Sequence, residues 1–344
     1  MKNKEKKQYL MFKNCDGKYN AGNKFTNDVI KICSANSIDA IGYGCQAEDN
    51  LLLRCVNFFK YSIKLCILIS NHSKIYLLYP TMPKYFSFLC YIKQIKDLEV
   101  IGIVMDLPSL CRDVPDITLD IFNLKLMDKI IVQNRKQKVL LEKEGISYNR
   151  MGEIGILDFL GTPRKVDLNE WNKERTICYG GTLAPVAAGF IYKWMDTCKL
   201  KKLRVNIYGI GMKRKIDNEH FKYCGSFSPD KVLENLEGDF GLVWSGSEVN
   251  TCGGDKGIYY EYASPHKLSM YLMAGMPVIV SKNSALEDLV ISKNIGIVID
   301  SLNEIEERLD NISREEYQAM LEAVKREASI ISRGGNIVRC LNSL

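Results

Sequence analysis

The feature that most restricts this 344-residue chain is an alternation of short β-branched and aliphatic runs with stretches of helical spacing. In the first half the predicted strands are 8–13, 38–43, 64–70, 75–79, 99–105 and 128–133, with helices near 24–36, 49–61, 84–97 and 135–145. In the second half they are 175–179, 204–208, 240–244, 277–281 and 296–299, with helices near 186–198, 229–236, 265–274, 284–292 and 301–310. Strands apolar along their whole length and separated by helices fit a parallel sheet covered on both faces. At roughly 150 residues per domain, the length suggests about two. The polar stretch 161–174 reads as their linker. The expectation is an α/β chain with one doubly wound Rossmann-like domain over 1–160 and a second over 172–318. A helical stretch near 320–344 has no strand after it, so it caps the second domain or returns to the first.

Composition narrows the partners. Forty-seven Lys+Arg against 41 Asp+Glu leave +6, which permits an anionic partner and demands none. No uncharged apolar run reaches the roughly 18 residues of a membrane span. The nearest zone, 61–92, is broken by Lys64, Lys74 and Lys84. The N-terminus is basic but has no apolar core of a signal peptide. A cytoplasmic location is expected, with the inner face of a membrane as its narrower form. Lys2, Lys4, Lys6 and Lys7 read first as a solvated terminus and second as a peripheral membrane contact. Twelve cysteines without a CxxC pair read as reduced, mostly buried thiols. His72, His220 and His266 have no zinc-site spacing, so no metal is expected. A dinucleotide oxidoreductase would need GxGxxG after an early strand, and none stands there. No dense Lys/Arg–aromatic stripe points to nucleic acid.

Residues 239–281 hold the densest local signals. Ser264 and Pro265 suit the N-cap and first position of a helix, and Gly275 followed by Pro277 suits its end. Lys267 then falls in the first turn, where a cation opposes the helix dipole, and His266 stands beside it. Two readings follow: a solvated surface lysine, or a cation placed for an anionic ligand. Gly180 and Gly181 lie between a strand and a helix, which suits close approach to a ligand or a tight turn. Ser284 to Glu287 has the capping-box spacing. Asn14, Asp16 and Gly17 make either an ordinary Asp-Gly turn or a site loop. The polar 252–257 loop, with Glu248 and Asp255, either orders over a ligand or is plain surface.

The order FGLVW, a Gly- and acid-rich loop, then SPHKLSMYLMAGMPVIV resembles the nucleotide-binding half of a GT-B glycosyltransferase. It is most similar to bacterial galactofuranosyltransferases and to the glucosyltransferases that extend glycans on serine-rich adhesins. Asn14–Gly17, IYLLYPT at 75–81, VMDLPSL at 104–110, DKIIVQN at 128–134 and YGGTL at 179–183 extend the likeness over nearly the whole chain. The resemblance implies a GT-B fold, two Rossmann-like domains facing a cleft, with the last helix crossing back to the first domain. It implies transfer of a hexose (glucose, galactose or galactofuranose) from a UDP-sugar to an acceptor glycan on a lipid carrier or protein, in cell-surface polysaccharide or glycoprotein synthesis. The UDP-sugar is a substrate, no cofactor or metal is needed, and the chain contains no Asp-x-Asp. Inversion is the expected outcome.

Carried onto this sequence, the resemblance assigns the diphosphate to Lys267, His266, Gly180, Gly181 and Thr182, with Leu286 beside it, and the ribose to Glu287. It assigns the base to Gly225 and Phe227, with Tyr208 as rival and core packing as the alternative for both rings. Asn14 and Gly17 line the donor loop. Asp106 is the expected catalytic base and Asp16 its rival; capping of the next turn is the alternative for Asp106. Two departures stand out: Met105 replaces the usual His before Asp106, and no Lys or Arg follows Gly181 until Lys193. They keep a non-catalytic glycan- or nucleotide-sugar-binding subunit as the rival function. Homo-oligomerisation stays open.

Overall fold

The computed structural model describes residues 6–14, 21–44, 50–111, 116–166, 174–228, 231–253 and 257–344. Two compact units emerge. The first takes in the described residues of Met1–Leu110, Pro115–Ile154 and Ile337–Leu344, and the second those of Cys111–Val114 and Gly155–Asn336.

The first unit is a six-stranded parallel sheet of β1 (Gln8–Lys13), β2 (Asp39–Tyr43), β3 (Lys74–Tyr79), β4 (Glu99–Val104), β5 (Lys129–Val132) and β6 (Met151–Glu153), ordered β2-β1-β3-β4-β5-β6. Beyond their first residues β3 and β4 are buried throughout, as a parallel sheet covered on both faces requires. Helices Ala21–Ala35, Leu51–Leu68, Pro83–Lys96 and Thr118–Lys125 connect the first five strands. The expected strand at 64–70 is absent. Asn50 caps a helix through the Leu53 N–H at 2.9 Å, and that helix runs unbroken to Leu68. A short apolar run fits either period, and here the helix claims it. The Thr118–Lys125 helix and the three-residue β6 went unread in the sequence.

The second unit is a parallel sheet of β7 (Thr176–Gly180), β8 (Arg204–Tyr208), β9 (Phe221–Tyr223), β10 (Phe240–Val243), β11 (Val278–Ser281) and β12 (Gly296–Ile299), ordered β12-β11-β10-β7-β8-β9. One core layer gathers Phe190, Trp194 and Phe240; the other gathers Leu236, Tyr271 and Met273. β9 and the Gly257–Tyr262 helix were not legible beforehand. The chain winds outward from β7 through β8 and β9, then returns to its other side at β10. That reversal makes the β7/β10 boundary a topological switch point, where α/β sheets collect ligands at the carboxyl ends of strands. Helix Arg314–Ile331 belongs to the second unit, opened by a capping box in which Ser313 and Glu316 exchange bonds of 3.1 and 2.8 Å. Only from Ile337 does the last helix, Gly335–Ser343, belong to the first unit, so the return starts later than residue 320.

One close contact fixes the helix that carries the site. A Cβ on Gly241, in β10, would lie 2.1 Å from Cγ of Tyr271. Gly241→Ala should therefore push the Tyr271 ring aside and destabilise the unit by about 1–3 kcal/mol. Urea unfolding followed by circular dichroism reads this directly; an unchanged midpoint would show that the helix yields freely.

Candidate active site

The Lys267–Met273 helix leads from the β10 loop towards β11. Its N-cap is His266, with no side-chain cap bond. Ser264, expected in that role, is buried two residues earlier, and the Pro265 carbonyl accepts the Leu268 N–H at 3.1 Å. A tight turn closed by that carbonyl delays the helix to Lys267, which still occupies its first position.

The Lys267 side chain does not run into solvent. Its Nζ donates to Tyr179 Oη at 2.9 Å and to the Trp244 carbonyl at 3.5 Å, and sits 4.1 Å from the centroid of the Tyr179 ring. Tyr179 belongs to β7 and Trp244 follows β10, so the ammonium stands at the switch point. Among the described residues its hydrogen-bond partners include no carboxylate. By side-chain area Lys267 is half-buried, yet desolvation of the ammonium dominates and pulls its pKa from 10.5 down to about 7. Cys252 opposes this only as a thiolate, and burial pushes that thiol up to about 11.

Two glycines make room for this arrangement. A Cβ on Gly181 would meet Lys267 Cε at 2.7 Å and Nζ at 3.0 Å. Gly209, at φ +142°, presses on the same turn, since its Cβ would fall 1.6 Å from the Gly181 carbonyl oxygen. The Gly180 N–H donates to Tyr271 Oη at 2.8 Å, and that hydroxyl donates to the Leu242 carbonyl at 3.2 Å. Clearance for a buried lysine therefore selects glycine at 181, and Thr182 beyond it is exposed.

The line continues along the carboxyl edge. The Gly181 N–H donates to the Tyr208 carbonyl at 3.0 Å, and the Gly209 N–H to the Gly225 carbonyl at 2.8 Å. Tyr208 is a core residue whose hydroxyl accepts the Glu237 N–H at 3.1 Å, and burial raises its pKa. Phe227 lies 6.2 Å from the Tyr208 ring and is 36% exposed, while a Cβ on Gly225 would meet nothing within 4 Å. Gly225 and Phe227 thus stand at an open end that Tyr208 supports from beneath.

On the other side of the switch point, Glu287 opens the Glu287–Lys293 helix behind the buried Leu286. The capping box expected there forms only in part. Glu287 accepts the Asn283 N–H at 2.7 Å, one residue before Ser284, whose buried hydroxyl makes no hydrogen bond. His266 leaves the group: its Nε2 lies 3.3 Å from the Asp158 carbonyl and its ring stacks on Phe159 at 5.1 Å. Lys193, the first basic residue after Gly181, is bound to Glu248 at 2.5 Å on the surface. Behind the turn, the Pro185–Thr197 helix opens at Ala188 and takes in the β10 loop. The Ala187 carbonyl accepts from Gly246 N and Ser245 Oγ, each at 3.0 Å, and Phe190 N donates to the Gly246 carbonyl at 3.0 Å.

In the first unit, Asn14 follows β1 and lies against Gly42 of β2, whose Cβ would meet Asn14 Oδ1 at 2.3 Å. Asp106 follows β4; its Oδ1 accepts the Leu107 N–H at 2.8 Å, so it does cap its own turn. Asp120 braces the same loop by accepting the Ser109 N–H at 3.2 Å and the Tyr79 hydroxyl. Asp16, Gly17 and Asp255 lie outside the described residues. Tyr179 and Trp244 stand out in the sequence only as members of the YGGTL and FGLVW runs, and Cys252 only as a member of the 252–257 loop; the fold brings them to Lys267. A cavity of about 360 Å³ opens at the opposite, amino-end edge of the second sheet, between Arg164, Glu237, Asp239 and Tyr317. None of the candidate site residues lines it.

Two α/β units, each built on a six-stranded parallel sheet, fit the two-domain GT-B fold of glycosyltransferases. Residues 7–156 match the Glucosyltransferase 3-like N-terminal domain and residues 177–344 the Glucosyltransferase 3-like C-terminal domain. The chain belongs to the Glucosyltransferase 3-like family. It is 29% identical to the beta-1,6-galactofuranosyltransferase WbbI of Escherichia coli strain K12 over 79% of this chain and 78% of that protein. It is 39% identical to Glucosyltransferase 3 of Streptococcus gordonii over 33% of each chain. In fold it is similar to Anabaena HepE, solved in complex with UDP and glucose, with a TM-score of 0.61, 11% identity, and 98% and 100% of the two chains covered.

A lysine whose pKa falls on folding binds fewer protons in the native than in the unfolded state between about pH 7 and 10.5. Its penalty is therefore full below pH 7 and lifts as pH rises through that window. Lys267→Met should be more stable than the parent below pH 7 and lose this rise, as read by thermal unfolding across pH. Parallel profiles for the two proteins would contradict a desolvated ammonium.

Proposed function

We propose that the chain transfers a hexose from a UDP-sugar to an acceptor glycan, without a metal ion and with inversion. The observation that carries this reading is the Lys267 ammonium at the β7/β10 switch point, hydrogen-bonded to a tyrosine hydroxyl and a carbonyl and, among the described residues, to no carboxylate. When the sugar leaves, charge grows on the departing diphosphate, and a fixed cation in a partly desolvated place stabilises it. Gly180, Gly181 and Thr182 bring backbone and a hydroxyl to the same phosphates. Gly225 and Phe227 receive the base, and Glu287 the ribose hydroxyls. Glucose, galactose and galactofuranose are the donor sugars, by analogy with the named relatives. The acceptor is a glycan on a lipid carrier or protein, and the setting is synthesis of cell-surface glycans on the cytoplasmic side.

Asp106 is the proposed base. As the acceptor oxygen attacks the anomeric carbon, its proton passes to the carboxylate while the bond from that carbon to the diphosphate oxygen breaks. A positioned carboxylate contributes about 10²–10⁴-fold. The bond from Leu107 occupies one of its oxygens and holds the group in place. The same bond favours a second reading, a nucleotide-sugar-binding subunit in which Asp106 only caps its turn.

Two measurements test these readings. Lys267→Met should weaken UDP binding by about 1.5–3 kcal/mol near pH 6, the scale for hydrogen bonds to a charged group. Above pH 7 the parent must take up a proton to bind, so its affinity should fall by up to about tenfold per pH unit, while the variant's stays flat. Calorimetry that finds equal affinities would remove Lys267 from the site. Asp106→Asn keeps shape and capping but removes the base, so transfer should fall by about 10²-fold or more with UDP affinity unchanged. Transfer by the parent should persist in excess EDTA. Normal turnover of Asp106→Asn would pass the role to Asp16, and absence of transfer by the parent with every donor would favour the binding subunit.

A further inference from the structure

The Leu51–Leu68 helix of the first unit is apolar on two opposite faces. Tyr61 and Leu65 are its buried residues, facing the sheet. About 180° around the helix, Leu52, Val56, Phe59, Ile63 and Ile67 recur at spacings of four, three, four and four, which places them in one stripe. That stripe faces water: Leu52 is 74% exposed, Phe59 67% and Ile67 75%. Tyr91 and Ile95 of the adjoining Pro83–Lys96 helix are exposed as well. Scattered surface apolar residues are ordinary, but a contiguous stripe the length of a helix marks an interaction surface.

Charge identifies the partner. The Leu51–Leu68 helix carries Arg54, Lys60 and Lys64, the Pro83–Lys96 helix carries Lys84, Lys93 and Lys96, and neither contains an acidic residue. In the whole chain the two signs nearly balance, 47 against 41. Lys60 and Lys64 are exposed and flank the stripe on one side. Lys84 lies 5.4 Å from the Phe58 ring centroid, and Lys93 is paired with Asp128 at 2.8 Å. Apolar side chains along the crest with lysines at the flank match a lipid interface, where the stems snorkel and the ammonium groups meet anionic headgroups. A second copy of the same helix packed antiparallel would set lysine against lysine along the seam. Among the described residues no helix is long and apolar enough to cross a membrane, so the fit is to a helix lying in the interface.

We propose that the outer face of the Leu51–Leu68 helix docks the protein on an anionic lipid surface. The test is co-sedimentation of the full chain with vesicles of phosphatidylcholine alone and of phosphatidylcholine and phosphatidylglycerol in equal proportion. Binding should occur to the anionic vesicles only and weaken at high salt. Lys60→Gln with Lys64→Gln should weaken it about thirty-fold, at the usual strength of a basic residue near such a surface. Phe59→Ser with Ile63→Ser should abolish it while the circular-dichroism melting curve stays that of the parent. Binding that these pairs leave unchanged, or no binding to either vesicle, overturns the proposal. So does self-association in the ultracentrifuge that Phe59→Ser with Ile63→Ser removes in a chain that ignores vesicles, which would give the face to a second copy.

Discussion

A cation held against a tyrosine hydroxyl and a peptide carbonyl, with no carboxylate bonded to it among the described residues, organises the second unit. Lys267 reaches that position only because its neighbours give way. Gly181 has no side chain to collide with Cε, and Gly209 has none to collide with the Gly181 carbonyl. Gly241 clears space for Tyr271, whose hydroxyl then ties the Gly180 N–H to the Leu242 carbonyl. Each glycine lets the next contact close, so the turn after β7, the end of β10 and the start of the Lys267–Met273 helix are set together. Motifs that look separate along the chain, YGG at 179–181, FGLVW at 240–244 and PHKLS at 265–269, are three parts of one packing problem.

The parallel sheets and the place of Lys267 at the start of its helix were legible in the sequence. The alternation of runs gave the parallel sheets, because strands buried on both faces must be apolar throughout. Lys267 announced itself by opposing its own helix dipole. The failures have physical causes. At 64–70 an apolar run of seven residues fits a strand or the end of a helix, and the Asn50 cap with uninterrupted helix decides it. β6 and β9, three residues each at sheet edges, carry too little pattern to register. Ser264 and Ser284 both satisfy capping statistics, yet a proline carbonyl and the Asn283 N–H displace them. Tyr179 and Trp244 were invisible as site residues because one belongs to an apolar strand and the other adjoins one, and Cys252 because it is a lone thiol in a polar loop. Strand order, which no local window contains, brings them to the lysine.

The two units divide their polar groups differently. In the second, the singled-out groups lie along one carboxyl edge, where Lys267, Gly181, Gly225 and Glu287 follow strands β10, β7, β9 and β11 in turn. In the first, Asp106 and Asn14 stand beyond β4 and β1, with the Asp106 loop pinned by Asp120 to the end of β3. Among the described residues the loops at these edges are hydrogen-bonded back onto strands or helices, as where Gly246 enters the break at Ala188.

The lowered pKa of Lys267 connects stability to function. A folded chain that desolvates an ammonium without pairing it gives up stability, and breaking a local rule without local compensation is what functional positions do. The deficit is recovered when an anion arrives, because the opposite charge favours the protonated lysine and returns its pKa towards 10.5. A carboxylate in the same place would remove the deficit permanently. The tyrosine hydroxyl and the carbonyl are the compromise: they orient the ammonium through two of its three N–H groups and leave its charge unneutralised. The same logic explains why the Tyr179 phenol is useful there, since burial holds its pKa well above the usual value and it accepts from Lys267 without becoming an anion itself. Protonation of Lys267 and the stability of the second unit are therefore linked.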